Sequence, residues 1–128
     1  MEARKLVIDS TLFIEHLRAK DKSATTLSQL SEETVLFVSA VTLFELFTGA
    51  STEEKKRDVH ILTDDLTVIP FDKETAFEAV TIYRVLRSQN KMIEFRDLFI
   101  AASAIRHNLE LKTLNRKHFE RIDNLRLA

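Results

Sequence analysis

The sequence predicts an α/β fold in which a parallel sheet is covered by helices on both faces. Two observations support this prediction. The candidate strands are short and almost wholly apolar, as strands buried on both faces are. Helical segments separate these strands along the chain, and this alternation is typical of parallel sheets. With 128 residues, the chain is long enough to bury one core, and we expect residues 1–128 to form a single domain.

The strands are predicted where a short apolar run ends at a polar or turn residue. The first run, Leu6-Val7-Ile8, stops at Asp9, and a later one stops at Pro70, which cannot donate a backbone hydrogen bond. The predicted strands are residues 6–8, 35–38, 68–69 and 109–114, with a last strand near 125–127.

The helices are predicted from apolar periodicity between these strands. They are residues 11–19, 23–32, 41–47, 52–66, 73–90 and 97–107, followed by a helical turn at 116–119. We expect Ser10 or Thr11 to cap the first helix and Gly49 to occupy the C-cap position after the helix at 41–47. Six aromatic side chains are expected in the core, namely Phe13, Phe44, Phe47, Phe77, Phe95 and Phe99.

The composition excludes several classes of protein. There is no cysteine, so disulfides and thiolate zinc sites are excluded. One glycine cannot form a Gly-rich phosphate loop. No apolar run approaches the roughly 20 residues of a membrane span, and the N-terminal residues lack the pattern of a signal peptide. We therefore expect a cytoplasmic protein without a membrane partner.

Three acidic residues occur in strongly apolar surroundings. Asp9 follows the first strand, Glu45 lies between Phe44 and Leu46, and Asp97 precedes an apolar helix. A carboxylate in such a setting costs several kcal/mol unless it is compensated. The simplest shared compensator is a divalent cation bound by oxygen ligands.

The predicted topology brings these acids towards one edge of the sheet. Ligands of open α/β folds bind beyond the carboxyl ends of the parallel strands. Asp9 and Asn115 follow two of the predicted strands, and Glu45 lies about two turns into the helix after another. Asp97 begins a helix.

Each acid also has a purely structural interpretation. Asp9 is at a strand–helix junction, where a side-chain cap is about equally frequent. Asp97 could stabilise a helix N-terminus through the helix dipole. Glu45 is in mid-helix, so its structural alternative is a buried ion pair with Arg or Lys. The combination of all three favours the metal site.

Four blocks of sequence, in this order, resemble the PIN-domain nucleases, and most closely the VapC-like toxins of toxin–antitoxin pairs. They are VIDST at 7–11, SAVTLFEL at 39–46 followed by Gly49, DLFIAASA at 97–104 and LKTLNRKHF at 111–119. The resemblance implies a three-layer α/β/α sandwich with a central parallel sheet. It also implies an endoribonuclease that depends on Mg²⁺ or Mn²⁺ and cleaves RNA phosphodiester bonds.

The resemblance implies roles for particular residues. Asp9 and Asp97 match direct metal ligands, and Glu45 matches a ligand acting through water or a residue that orients the attacking water. The fourth position of the family is Asp or Asn, and here it is Asn115, so three formal negative charges remain.

Four further residues are candidates for contacts around this centre. The hydroxyls of Thr11 and Thr113 are expected to support the ligands or to contact phosphate. Arg116 and Lys117 adjoin Asn115 and are candidates for contacts with the RNA backbone.

The resemblance also implies partners, namely an RNA substrate, a small antitoxin that inserts a basic or aromatic segment over the acidic pocket, and a second copy in a homodimer. Two alternatives remain open at this point. The chain could be a catalytically weak PIN-like module that binds RNA or protein without cutting. A phosphoacceptor receiver domain would need adjacent acids after the first strand, where this chain has only Asp9 before Ser10.

Overall fold

A computed structural model describes residues 3–128, and its architecture confirms the α/β prediction. One four-stranded parallel sheet has the strand order β3-β2-β1-β4. Its strands are β1 (Lys5–Ile8), β2 (Val35–Ser39), β3 (Thr67–Ile69) and β4 (Glu110–Lys112). The α-helices of the described residues are α1 (Ser10–Arg18), α2 (Ala40–Gly49), α3 (Glu53–Thr63), α4 (Lys73–Ser88), α5 (Phe95–Arg106) and α6 (Arg116–Phe119).

The two faces of β1 separate the core into two halves. Successive side chains of a strand point to opposite faces, so Val7 packs with α4, α5 and the C-terminal segment. Leu6 and Ile8 pack on the other face against residues of α1, α2 and α3. All three strand residues are fully buried. The result is the expected three-layer α/β/α arrangement, with β1 at its centre.

The segment at 23–32 is not the predicted helix. It contains a single 3₁₀ turn, Lys22–Ala24, and then irregular turns. Several of its hydroxyl side chains bond to nearby polar groups. Thr25 Oγ1 donates to the Lys22 carbonyl (3.2 Å) and accepts from the Ser28 amide (3.2 Å). Such local bonds compete with a helical ladder, and this competition explains the error.

The predicted N-cap of α1 and the predicted C-cap of α2 also differ from the residues found at these positions. Asp9, not Ser10 or Thr11, is the residue before α1. Gly49 is the last residue of α2, and Ala50 is the C-cap residue. Gly49 does not adopt a positive φ. Left-handed residues instead follow α4 and α5, where Asn90 and Asn108 both have φ of 55°.

Two of the predicted strands and the helix predicted at 52–66 are shorter than expected. The strand expected at 109–114 is limited to β4, and that expected near 125–127 is reduced to one parallel bridge between Leu111 and Leu127. The helix expected at 52–66 is α3, with Thr52 as its cap through a hydrogen bond from the Lys55 amide (3.1 Å).

The phenylalanine prediction is wrong for half of the six residues. Phe13 is fully buried, but 70% of Phe44, 60% of Phe77 and 59% of Phe95 are exposed to solvent. Exposed aromatic side chains are informative because a monomer gains little by leaving them in water.

None of the helices within residues 3–128 has both the length and the apolar character needed to cross a membrane.

Substitution of Gly49 by alanine is expected to stabilise the protein. Its backbone is compatible with alanine, and a Cβ atom there would meet no heavy atom within 4 Å. Gly49→Ala should raise the free energy of unfolding by about 0.4–1 kcal/mol, because it restricts the unfolded chain. In contrast, Asn90→Ala should lower it by about 1–2 kcal/mol, since alanine is strained in the left-handed region. Urea unfolding measures both values, and a destabilised Gly49→Ala would contradict the described end of α2.

Candidate active site

Asp9 is the single residue between β1 and α1, and its two carboxylate oxygens have different surroundings. Oδ2 accepts hydrogen bonds from the hydroxyls of Thr11 (2.9 Å) and Thr113 (2.8 Å). Oδ1 is buried and has no hydrogen-bond partner among the described residues. The side chain does not cap α1, so the cap interpretation of Asp9 is wrong. A buried carboxylate oxygen without a hydrogen-bond partner is costly, and a bound cation is one group that could offset this cost.

The two threonines that hold Asp9 also connect the loops around it. Thr11 Oγ1 accepts from the Leu114 amide (3.1 Å), and Thr113 Oγ1 accepts from the Asn115 amide (2.9 Å). The Asp9 amide donates to the Lys112 carbonyl (3.0 Å) and so extends the pairing of β1 with β4. These contacts place Asp9 and Asn115 in neighbouring loops at the carboxyl edge of the sheet.

Glu45 lies in the middle of α2 and is mostly buried, with 18% of its side chain exposed. Its Oε2 atom is 3.4 Å from a guanidinium nitrogen of Arg96, and its Oε1 atom is buried without a partner in the part of the chain that is described. A second nitrogen of Arg96 lies 2.9 Å from Oε2 of Glu94. The structural alternative for Glu45, an ion pair, is therefore present at one oxygen and absent at the other.

Asp97 is in the first turn of α5. His118 lies between Asp97 and Asn115, the fourth residue expected at the site. The Oδ2 atom of Asp97 is 3.4 Å from Nδ1 of His118, and the same nitrogen is 2.8 Å from the Asn115 side-chain amide. His118 is half-buried and connects α5 with the loop after β4. The sequence offered one sign of its position, because His118 follows Asn115 by three residues at the start of a helical turn.

The three carboxyl groups lie close enough for their charges to interact. Burial raises the pKa of Glu45, the Arg96 guanidinium opposes this, and the charges of Asp9 and Asp97 raise the pKa further. Burial also raises the pKa of Asp97, with a further contribution from Asp9, while the hydrogen bond with His118 lowers it. Crowded, partly buried carboxylates of this kind are typical of sites that bind a cation.

The chemistry of the donor set fits a hard divalent cation. Two carboxylate oxygens, Asp9 Oδ1 and Glu45 Oε1, are buried and unpartnered, and Asp97 adds a third carboxylate in electrostatic contact with both. Oxygen ligands of this type suit Mg²⁺ and Mn²⁺. Within residues 3–128, no three acidic or histidine side chains are already arranged as a closed metal cluster. The side chains would therefore have to draw closer around an ion.

Two clefts meet at Glu45. One, of about 280 Å³, lies between α1, α2 and α3 and is lined by Ile14, Arg18, Gly49 and Lys55 among others. The other is open, with a volume of about 740 Å³, and is lined by Phe44, Phe71, Arg96 and Phe99 among others. Glu45 and Ile14 belong to both. An extended ligand that follows the two clefts would pass over Glu45.

The two candidates for RNA contact differ in their surroundings. Arg116 is half exposed and already donates to the Ala128 carbonyl (2.8 Å), with Glu120 3.7 Å from its Nε. Lys117 is exposed. Their proximity to Asn115 follows from the sequence, and contact with RNA stays a prediction for both.

A sequence model of the PIN domain matches residues 6–125. The chain therefore belongs to the PIN-domain family.

Relatives within this family are named as ribonucleases. The chain is 31% identical over 127 residues to Ribonuclease VapC1 of Rickettsia felis, covering 94% of this chain and 92% of that one. It is 31% identical over 121 residues to Ribonuclease VapC10 of Mycobacterium tuberculosis, with 94% and 90% covered.

Solved structures agree with the fold at high similarity. VapBC2 from Rickettsia felis, bound to a DNA fragment from its promoter, superposes with a TM-score of 0.86 at 26% identity, over 97% of both chains. VapBC-1 from nontypeable Haemophilus influenzae superposes with a TM-score of 0.82 at 29% identity, over 97% of this chain and 96% of that one. Both similarities extend over nearly the whole chain.

The raised pKa of Glu45 predicts a pH-dependent gain in stability for Glu45→Gln. Between the ordinary and the raised pKa, the folded protein binds more protons than the unfolded chain, so stability falls as pH rises through this interval. In EDTA at pH 7, Glu45→Gln should therefore unfold at the same temperature as the wild type or higher. The difference should shrink towards about pH 3, which is below the ordinary pKa of glutamate and where the carboxyl group is therefore protonated in both states.

Calorimetric unfolding at both pH values measures this effect. Glu94→Gln is the matched control, because it removes an exposed carboxylate bound to the same Arg96. A Glu45→Gln protein that is strongly destabilised at pH 7 would show that the ion pair with Arg96 is the main role of Glu45.

Proposed function

We propose that this protein is a metal-dependent endoribonuclease that cleaves RNA phosphodiester bonds, and that it is the toxin of a toxin–antitoxin pair. The observation that supports this most directly is the pair of buried, unpartnered carboxylate oxygens on Asp9 and Glu45. Membership of the PIN-domain family and similarity to VapC ribonucleases over nearly the whole chain support the same conclusion.

Asp9, Glu45 and Asp97 would hold the divalent cation, with Asn115 as an outer or weak ligand. Mg²⁺ or Mn²⁺ at such a site supplies a lowered pKa for the attacking water and charge neutralisation at the phosphoryl oxygens. The protein itself supplies orientation. Thr11 and Thr113 fix Asp9, and Nδ1 of His118 lies 2.8 Å from the side-chain amide of Asn115 and 3.4 Å from Oδ2 of Asp97.

The RNA would follow the two clefts that meet at Glu45. Both clefts have basic side chains in their walls, Arg18 and Lys55 in the smaller and Arg96 in the larger. Basic groups beside an acidic centre favour a polyanionic substrate, since they offset repulsion between phosphates and carboxylates. Lys117 and Arg116 would extend this path beyond Asn115.

The alternative, a binding module that does not cut, has one observation in its favour. Glu45 forms the ion pair with Arg96 that a purely structural acid would need. This pair leaves Asp9 Oδ1 and Glu45 Oε1 without partners, however. A protein under no need to bind a cation would gain stability by replacing these acids with neutral groups. The nuclease is therefore the better explanation.

The proposed partners include a small antitoxin. The structural neighbours described above are VapBC assemblies, and the acidic centre is a target for a basic segment of such a partner. An arginine that reaches Asp9 or Asp97 would form a charge-assisted hydrogen bond and occupy the space of the cation. A cytoplasmic location is part of the same proposal.

A homodimer is proposed through a partly exposed and largely aromatic surface between α4 and α5, called the aromatic surface below. This aromatic surface consists of Phe71, Val80, Tyr83, Phe95 and Phe99. Its rings form a chain, with centroid distances of 4.7 Å between Phe71 and Phe99, 6.2 Å between Phe95 and Phe99, and 6.1 Å between Tyr83 and Phe95. Aromatic residues are enriched in the buried centres of interfaces. Phe71 and Phe99 also line the larger cleft, so two active sites would share one groove.

Loss of either aspartate is expected to weaken metal binding and to abolish RNA cleavage. Asp9→Asn and Asp97→Asn each keep the side-chain shape but remove one charged ligand. Calorimetry should show a loss of Mn²⁺ affinity of about 10-fold or more, and cleavage of total RNA in Mn²⁺ should fall to the level seen in EDTA. Asp65→Asn, which changes an exposed aspartate far from the site in sequence, is the control. Wild-type metal binding in both site variants would refute the assignment.

Charge placed in the aromatic surface should separate the dimer. Phe95→Glu is expected to yield monomers at concentrations where the wild type is dimeric, because a carboxylate cannot be buried there without a partner. Light scattering after size exclusion measures the mass. Ile61→Glu is the matched control, since Ile61 is 78% exposed on α3, on the other face of the sheet. A monomeric wild type, or a Phe95→Glu protein that stays dimeric, would exclude this interface.

A further inference from the structure

Asp9 and Glu45 share one arrangement of their carboxylate oxygens. In Asp9, two hydroxyl groups hold Oδ2 and leave Oδ1 buried and unpartnered. In Glu45, the Arg96 guanidinium lies against Oε2 and leaves Oε1 buried and unpartnered. In each acid, one oxygen is anchored by the protein and the other remains available to a ligand. Arg96 thus does for Glu45 what the two threonines do for Asp9, because it holds one carboxylate oxygen. Arg96 was not a candidate from the sequence.

Arg96 is itself fixed from two sides. One guanidinium nitrogen is 3.4 Å from Glu45 Oε2, and another is 2.9 Å from Glu94 Oε2. The residue lies in the first turn of α5, directly before Asp97, so its backbone position is set by the helix. Its side chain is 55% exposed. The guanidinium therefore connects α2 to the start of α5 across the mouth of the site.

We propose that Arg96 is a positioning residue that anchors one oxygen of Glu45 and presents the other, Oε1, to a divalent cation shared with Asp9 and Asp97. This inference rests on the proposed function. A group that contacts the carboxylate oxygen facing away from the metal orients the ligand, and such groups commonly determine metal affinity.

Two effects of Arg96 on a bound cation oppose each other. Its positive charge repels the cation, and its contact with Oε2 orients Glu45. The side chain is more than half exposed, so water screens the repulsion. The orientation acts through direct contact with a mostly buried carboxylate and is screened less. The positioning role therefore predicts weaker metal binding when Arg96 is removed, whereas simple competition for Glu45 predicts tighter binding.

Mn²⁺ calorimetry on the whole 128-residue chain distinguishes these two outcomes. Arg96→Gln should bind Mn²⁺ about 10-fold or more weakly than the wild type, while its unfolding temperature in EDTA stays close to that of the wild type. Arg4→Gln is the matched control, because Arg4 is also 55% exposed and lies 3.3 Å from a glutamate, Glu110, outside the site. The control should bind Mn²⁺ as the wild type does. Equal or tighter binding by Arg96→Gln overturns the proposal.

A second comparison tests whether Arg96 acts through Glu45. In a Glu45→Gln background, Arg96→Gln should cause no further loss of Mn²⁺ affinity, measured by the electron paramagnetic resonance of free Mn²⁺ so that weak binding is still detected. Equal losses in both backgrounds would show independent action and overturn the proposal. Failure of the proposed function gives a different result, because the wild type itself would then neither bind Mn²⁺ nor cleave RNA.

Discussion

The structure depends on the burial of one carboxylate, that of Asp9, at the end of its central strand. β1 lies between β2 and β4, so its last residues have no route to solvent except along the carboxyl edge. The Asp9 backbone continues the pairing with β4, and two threonine hydroxyls fix its side chain. Everything around the acidic centre is arranged relative to this point. The loop after β4, which ends at Asn115 and leads into α6 with His118, is held there by hydrogen bonds through Thr11 and Thr113.

The ionised carboxyl groups of the acidic centre lower the stability of the folded protein, and the rest of the fold must offset this loss. Burial and mutual repulsion raise the pKa values of Glu45 and Asp97, so ionising them at neutral pH opposes folding. The two core halves on either side of β1 supply the compensating burial of apolar surface. A cation bound only by the folded chain would reverse this loss and stabilise the protein by mass action. Stability and ligand binding are thus linked through the same three carboxyl groups.

Helices and strands with a strong apolar pattern could be predicted from the sequence. The prediction failed where hydrogen bonds of side chains to nearby backbone determine the local structure. Strand runs such as Leu6–Ile8 and the apolar α5 helix were predictable because burial on all sides leaves few alternatives. The segment at 23–32 was not, since its serine and threonine side chains satisfy the backbone in turns. Asp9, Glu45 and Asp97 could be proposed because acids in apolar runs are rare. Arg96 could not, because its role depends on which way an exposed side chain turns in three dimensions, and the only sign of His118 was its place three residues after Asn115.

The contact between Asp9 and Thr113 joins residues 104 positions apart. Contacts of such long range are slow to form and require nearly the whole chain to be present. At synthesis rates of about 5–20 residues per second, roughly 5–20 s separate the translation of these two residues. During that interval the central strand has no β4 neighbour, and Asp9 lacks one of its two hydroxyl anchors. A nascent nuclease built this way cannot complete its active centre beside the translating ribosome until its last strand has been made.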